Sequence, residues 1–204
     1  MSYGFLDIAM TPSVKAAQAS NGSAKVYSDF QGHRAFDSFT EAEKEFIAAR
    51  DSFYMATVSE TGWPYVQHRG GPPGFLRILD DKTFACADYR GNRQYISVGN
   101  LGANDRACLF LMDYPNRQRL KIYVHVEVAG LDTRPDLAEK VATPDYKAKM
   151  ERILIFHLEA FDWNCPQHIT PRFTESEVAE AVAPMRQRIE ALEMENKQLR
   201  ARFK

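Results

Sequence analysis

The 204-residue sequence predicts a mainly β domain, an antiparallel barrel, closed or half-closed, with flanking helices. Six or seven short runs rich in β-branched and aromatic residues recur between turn signals. The helices between those runs are brief, so the long crossovers of a doubly wound sheet are missing. No internal repeat or low-complexity tract interrupts the pattern.

Residues 1–36 are polar and irregular, with one short helical stretch at Ser13–Ala19, and read as an N-terminal arm. The barrel domain is expected over 37–172. Thr40-Glu41-Ala42-Glu43 is a capping box, opening a helix that carries Phe46, Ile47 and Arg50 at helical spacing. Ser52–Ser59 then changes period to a strand. Glu60-Thr61-Gly62 turns the chain, and Trp63–His68 returns as the second strand of a hairpin. Gly70-Gly71-Pro72-Pro73-Gly74 requires a sharp loop. Phe75–Leu79 and Thr83–Ala87 read as strands joined at Asp80-Asp81. Asn92–Leu101 has helical apolar spacing and ends near Gly102. Ala107–Met112 and Leu120–Val128 are strands around an arginine-bearing loop, Asp132–Met150 is loop and helix, and Arg152–Phe161 is the last long strand.

Residues 173–204 form a different object. Thr174-Glu175-Ser176-Glu177 is a second capping box, and Pro184 predicts a kink or a fresh start. A heptad fits from Val182, with Met185, Ile189, Leu192, Asn196, Leu199 and Phe203 on the seam. In a parallel dimer Arg188 would face Glu193 and Glu195 would face Arg200, both opposite in sign. An amphipathic helix lying on its own barrel is the competing arrangement. The seam is too short to hold two chains alone, so the barrels should also touch.

Composition narrows the function. With 26 Lys+Arg against 27 Asp+Glu the net charge is -1, which argues against nucleic acid as the main partner. A hydrophobic share of 45% with 26% charged residues excludes wholesale disorder. Three cysteines show no disulfide framework, no signal peptide is read at the N-terminus, and no apolar run approaches the ~20 residues of a spanning helix. A cytoplasmic protein without a membrane partner is expected. Hydrolase, P-loop, dinucleotide and zinc-protease motifs are all missing. Cys165 and His168 form one C-x-x-H pair without a second, so no metal is expected.

What remains is a set of polar residues where strands end. Gln67-His68-Arg69 closes one strand, and Asp88 opens a segment through Asn92, Arg93 and Gln94 into a helix N-terminus, where unsatisfied N–H groups favour an anion. Arg117 and Arg119 begin another strand. A single such arginine is an ordinary surface charge, whereas three groups at three strand ends suit a phosphorylated ligand.

The stretch from Phe46 to Val128 resembles the flavin-binding split barrel of the pyridoxamine 5′-phosphate oxidase superfamily. The likeness lies in MATVSETGWPYVQHRGG, TFACADYRGNRQYISVGNL, DRACLFLM and RLKIYVHVEV. The closing FDWNCPQHITPR resembles the tail of a bacterial subgroup described only as predicted flavin-nucleotide-binding proteins. The resemblance implies FMN at the interface of a homodimer of six-stranded antiparallel Greek-key barrels. It implies that Gln67, His68 and Arg69 lie along the ring and ribityl chain, that Asn92 and Arg93 hold the phosphate, and that Arg119 meets the ring's polar edge. Trp163 and Gln167 would reach the other subunit's flavin. Gln67 stands where the oxidase has an arginine, and Gly70-Gly71-Pro72 replaces its apolar run and lysine. Oxidation of pyridoxamine phosphate itself is therefore not expected.

Two function classes follow. The first is an FMN-dependent oxidoreductase of a small molecule, with catalytic residues unassigned and His68 or His168 available to move a proton. The second is a flavin or haem carrier or sensor on the same barrel. A flavin-free dimeric scaffold is the third alternative. Asn-Cys-Pro at Cys165 reads as a turn rather than a redox centre.

Overall fold

The computed structural model describes residues 2–28, 38–163 and 166–202. The chain runs through β1 (Ser2–Tyr3), α1 (Phe5–Ala9), α2 (Pro12–Ser20) and α3 (Ala24–Ser28), then α4 (Glu41–Ala48). It continues with β2 (Ser52–Val58), β3 (Pro64–Gly70), β4 (Arg77–Ile78), β5 (Thr83–Tyr89) and α5 (Ile96–Ala103). Next come β6 (Arg106–Asp113), β7 (Gln118–Ala129), α6 (Pro135–Val141), β8 (Met150–Trp163) and α7 (Glu175–Arg202).

The expected mainly β fold is found. One sheet has the order β3-β2-β6-β7-β8-β5-β4, with β1 pairing β8 outside that path, and all its pairings are antiparallel. Of the two expected forms, closed or half-closed, the sheet takes the open one: β3 and β4 are edges and no hydrogen-bonded ladder joins them. Strand alternation sets its two faces. In β2, Phe53, Met55 and Thr57 are buried while Tyr54, Ala56 and Val58 face outward. The inner face carries the main core, in which Phe84 stacks on Phe156 at 4.8 Å and Phe53 meets Phe156 edge-on at 5.8 Å. Strands β5 and β8 are covered on both faces, because Leu137 and Val141 of α6 pack on Ala85, Ala87, Ile153 and Ile155. That double cover explains why these two strands read as nearly continuous apolar runs.

Helix α4 starts where its capping box places it. Glu43 is buried, and its carboxylate accepts from the Thr40 backbone at 2.9 Å, from the Thr40 hydroxyl, and from Trp163 Nε1 at 2.7 Å. A lone buried carboxylate would be costly, and three donors satisfy this one. At the other end Arg50 donates to the Phe46 carbonyl at 3.1 Å, the Met112 carbonyl at 3.0 Å and Asp113 at 3.1 Å. Strands β8 and β6 are thereby tied to the two ends of one helix.

Three expectations are adjusted. The strand expected over Phe75–Leu79 shortens to β4, because Gly74 at φ 81° turns the chain and buries Phe75 and Leu76 in the core. A Cβ on Gly71 would stand 2.7 Å from Phe75 Cγ, so the loop admits no side chain there. The helix expected from Asn92 begins at Ile96, since Arg93 (φ 64°) and Tyr95 (φ 53°) are left-handed and break any helix before it. Helix α7 runs through Pro184 as one helix, so of the kink or fresh start expected there the fresh start does not occur. Among the described residues no helix is long and apolar enough to cross a membrane.

Burial acts to raise the Asp113 carboxyl, but hydrogen bonds from Asn116 and the Arg50 guanidinium outweigh it and hold it below the usual range. A folded value below the unfolded one contributes stability above about pH 4, which is lost as pH falls through the folded value. Asp113→Asn should therefore flatten the acid limb of a urea-stability profile measured between about pH 2 and 5. An unchanged slope would show that Asp113 takes no part in acid unfolding.

Candidate functional site

The inner face ends in a polar cluster. Gln67 and Arg69 face inward from edge strand β3, opposite Met55 and Phe53 of β2. Asp88 continues the row of Phe84 and Cys86 on β5, and its register partner on β8 is Arg152. In the sheet order β3 and β5 stand at opposite ends, yet Arg69 Nη1 donates to Asp88 Oδ1. The sheet therefore curls until its first strand meets its last but one, and side chains bridge the gap.

Asp88 is 5% exposed and shares its carboxylate between two guanidinium groups, accepting from Arg152 Nε at 2.7 Å on its second oxygen. Arg152 also donates to Glu151 at 2.9 Å and lies 4.7 Å over the Tyr95 ring. Glu151 accepts from Arg90 at 2.6 Å and from the Tyr95 hydroxyl at 3.1 Å. The hydrogen bond from Arg90, with support from Tyr95 and Arg152, holds the Glu151 carboxyl below its ordinary value despite some desolvation. The Gln67 side-chain oxygen accepts from Ser97 at 2.8 Å and from Arg69 at 3.4 Å, tying α5 to the edge strand. Asn100 ties the same helix to β2 by donating to Thr57 at 3.0 Å.

These residues enclose a cavity of about 60 Å³ lined by Gln67, Arg69, Asp88, Asn92, Arg93 and Arg152, with Tyr95, Ser97 and Glu151 completing it. Three guanidinium groups outnumber two carboxylates, so the wall is net positive. Arg69 Nε is buried and has no hydrogen-bond partner among the described residues. A buried N–H without an acceptor costs about 1–3 kcal/mol, so an anionic oxygen is the group that fits beside it.

Of the residues singled out from the sequence, Gln67, Arg69, Asp88, Asn92 and Arg93 come together here. Asn92 and Gln94 bond to each other across the turn at 3.2 Å, which orders the loop bearing Arg93. Because α5 starts at Ile96, that loop precedes the helix rather than forming its first turn. His68 lies on the opposite face, where its ring meets Tyr54 edge-on at 5.5 Å. Arg119 shares that outer face with Phe110, 5.9 Å from its guanidinium, and its Nε is also buried without a partner among the described residues. Trp163 is held by Glu43 and packs on Phe46 at 4.7 Å, away from the cluster. Gln167 and His168 are exposed after β8, and Cys165 lies outside the described residues. Cys86 is a free buried thiol pushed up to about 12 by burial, which makes it inert.

Sequence reasoning missed Tyr95, Ser97, Glu151 and Arg152. The signal for Arg152 was the register of two strands sixty residues apart in sequence, which no local pattern displays. A second cavity, of about 500 Å³, lies elsewhere on the sheet, lined by Ile8, Val58, Cys108, Tyr123 and His125 among others, and shares no residue with the cluster. Among the described residues no group of three or more His, Cys, Asp or Glu side chains is placed to hold a metal ion.

A family model described as pyridoxamine 5′-phosphate oxidase matches residues 39–163. No curated protein matches the sequence. Among solved structures, HupZ of Group A Streptococcus is similar at 17% identity, over 66% of this chain and 99% of that one, with a TM-score of 0.47. A Clostridium acetobutylicum protein related to general stress protein 26 is similar at 18% identity, over 67% and 94%, with a TM-score of 0.46. An FMN-binding protein of Syntrophomonas wolfei is similar at 14% identity, over 76% and 97%, with a TM-score of 0.44.

Asp88→Asn should leave two guanidinium groups facing each other with half their countercharge gone. A loss of about 3–5 kcal/mol is expected, read from urea unfolding. A loss below about 1 kcal/mol would mean that the bridge across the gap contributes little.

Proposed function

The chain belongs to the pyridoxamine 5′-phosphate oxidase family, a family of flavin-binding oxidoreductase type, and on that premise we propose that it binds FMN and oxidises or reduces a small molecule. The observation that carries this reading is the buried, unpartnered Arg69 Nε beside a cavity walled by Arg93 and Arg152. Guanidinium groups recognise phosphate oxygens bidentately, and the cavity's volume of about 60 Å³ suits one phosphate group rather than a three-ring isoalloxazine.

Arg93 and Arg152 are the residues we assign to the phosphate, with Asn92 and Gln94 shaping the loop that presents Arg93. Gln67 is oriented by Ser97, and Asp88 keeps Arg69 in place. The bound flavin supplies the electron chemistry, and the protein supplies position, charge and exclusion of water. Oxidation of pyridoxamine phosphate is not proposed, since Gln67 and the Gly-Gly-Pro loop replace the oxidase pattern.

The ring then lies outside this cavity, and we assign the rest of its cleft to a second copy of the chain. The outer face of the hairpin supports this, with Tyr54 39%, Val58 41% and Val66 59% exposed, and Trp63 77% exposed in the turn beside them. Arg119 and His68 lie on that face and are assigned to the ring bound across the interface, with Gln167 reaching the same place. Trp163 anchors β8 to α4 through Glu43 and Phe46. The flavin-binding unit is assigned to residues 37–172.

A carrier or sensor on the same barrel is the second reading, because a phosphate site serves either role. Titration of the flavin-free protein with FMN and with riboflavin tests the phosphate site. FMN should bind at least about tenfold more tightly, and Arg93→Ala should remove most of that preference, as expected for one charge-assisted contact. Equal affinity for the two would sink the assignment. Adding NADH or NADPH in air then separates the readings: repeated flavin reduction and reoxidation identifies the enzyme, and a flavin that no donor reduces identifies the carrier.

A further inference from the structure

Helix α7 spans twenty-eight residues, and none of them is buried. Its N-terminus is well made: Glu177 accepts from the Thr174 backbone at 2.7 Å and hydroxyl at 2.9 Å, while the Glu177 backbone donates to the Thr174 hydroxyl at 3.2 Å. Capping alone does not sustain a helix of this length in water without packing. Its apolar residues are nevertheless open to solvent, with Met185 59%, Ile189 55%, Leu192 44% and Leu199 45% exposed. They fall at a and d of one heptad, with Val182 and Asn196 on the same seam.

We infer that residues 182–202 pair with the same residues of a second copy as a parallel two-stranded coiled coil. Charge selects the partner. In a parallel pair in register, g-position Arg188 faces e-position Glu193 of the partner subunit, and Glu195 faces Arg200 of the partner subunit. Each match occurs twice by symmetry. The antiparallel register of fullest overlap sets Arg186 against Glu193 of the partner subunit and Arg188 against Glu195 of the partner subunit, also opposite in sign, so charge favours a second copy of this helix in either direction.

Asn196 selects the orientation. In a parallel pair the a positions meet, so the two Asn196 amides hydrogen-bond each other. In an antiparallel pair an a position meets a d position, and Asn196 would bury its amide against leucine or methionine without a partner. A parallel pair also has its two-fold axis along the coil, which brings two like barrels to the same end of the assembly. The inference does not depend on flavin binding and stands or falls separately from it.

Two sets of variants in the full-length chain test it. Leu199→Cys sits on the seam and Gln198→Cys points outward. With wild type as the control for the native thiols, Leu199→Cys should form a covalent dimer under mild oxidation at least about tenfold faster than Gln198→Cys, reflecting high local concentration across the seam. In the Leu199→Cys background, Arg188→Glu and Glu193→Arg should each slow cross-linking several-fold, and the two together should restore it. Equal rates for the two cysteines would overturn the pairing. A double charge variant no faster than either single one would overturn the parallel register.

Discussion

The ion pair between Arg69 and Asp88 is the contact on which the rest of the site depends. Backbone hydrogen bonds hold the sheet from β3 to β4 but never join its ends, and β3 and β5 are distant in that order. A side-chain bridge draws them together, and Arg152 completes it from the neighbouring strand. Burying such charges in place of well-packed apolar groups is seldom the most stable solution. Their presence where the sheet opens, with one guanidinium N–H left over, fits a fold that gives up some stability to keep a cationic cavity formed. The same bridge explains why the cavity exists in the single chain.

Supporting elements act through that bridge. Helix α5 fixes Gln67 through Ser97 and fixes β2 through Asn100, so the edge strand cannot drift from the cluster. The left-handed residues Arg93 and Tyr95 are held by what surrounds them: the Asn92–Gln94 turn on one side, and the hydroxyl of Tyr95 on Glu151 on the other. Non-glycine residues in this region carry strain, and strain is tolerated where the surroundings over-determine it. On the far side of the core, Glu43 does the equivalent work for β8 by receiving Trp163. One end of β8 is thus anchored by an indole and the other by Arg152, and Ile153, Leu154, Ile155 and Phe156 beside Arg152 are buried on both faces.

Much of this was legible in the sequence. The period-two runs gave the strands, and both capping boxes gave their helix starts, because these signals are local. The hairpin placed Gln67 and Arg69 on one face and His68 on the other, since successive strand residues alternate. Grouping the three as one binding strip overlooked that alternation. The start of α5 was misplaced because two left-handed residues interrupt an otherwise helical spacing. Glu151 and Arg152 were invisible because only the β5–β8 register, shifted at Asp88 and Tyr89 by a bulge, delivers them. The bond from the Trp163 indole to Glu43, one hundred and twenty positions earlier, was invisible because it too is non-local.

The central claim is that a cationic cavity at the open seam of this sheet holds the phosphate end of a flavin. The most direct measurement is the absorbance of the full-length protein purified under non-denaturing conditions, followed by mass analysis of whatever small molecule denaturation releases. The account predicts an oxidised-flavin spectrum and release of flavin mononucleotide, close to one per chain after loading with FMN. A protein that stays colourless after incubation with FMN, or that carries a haem band instead, would contradict it.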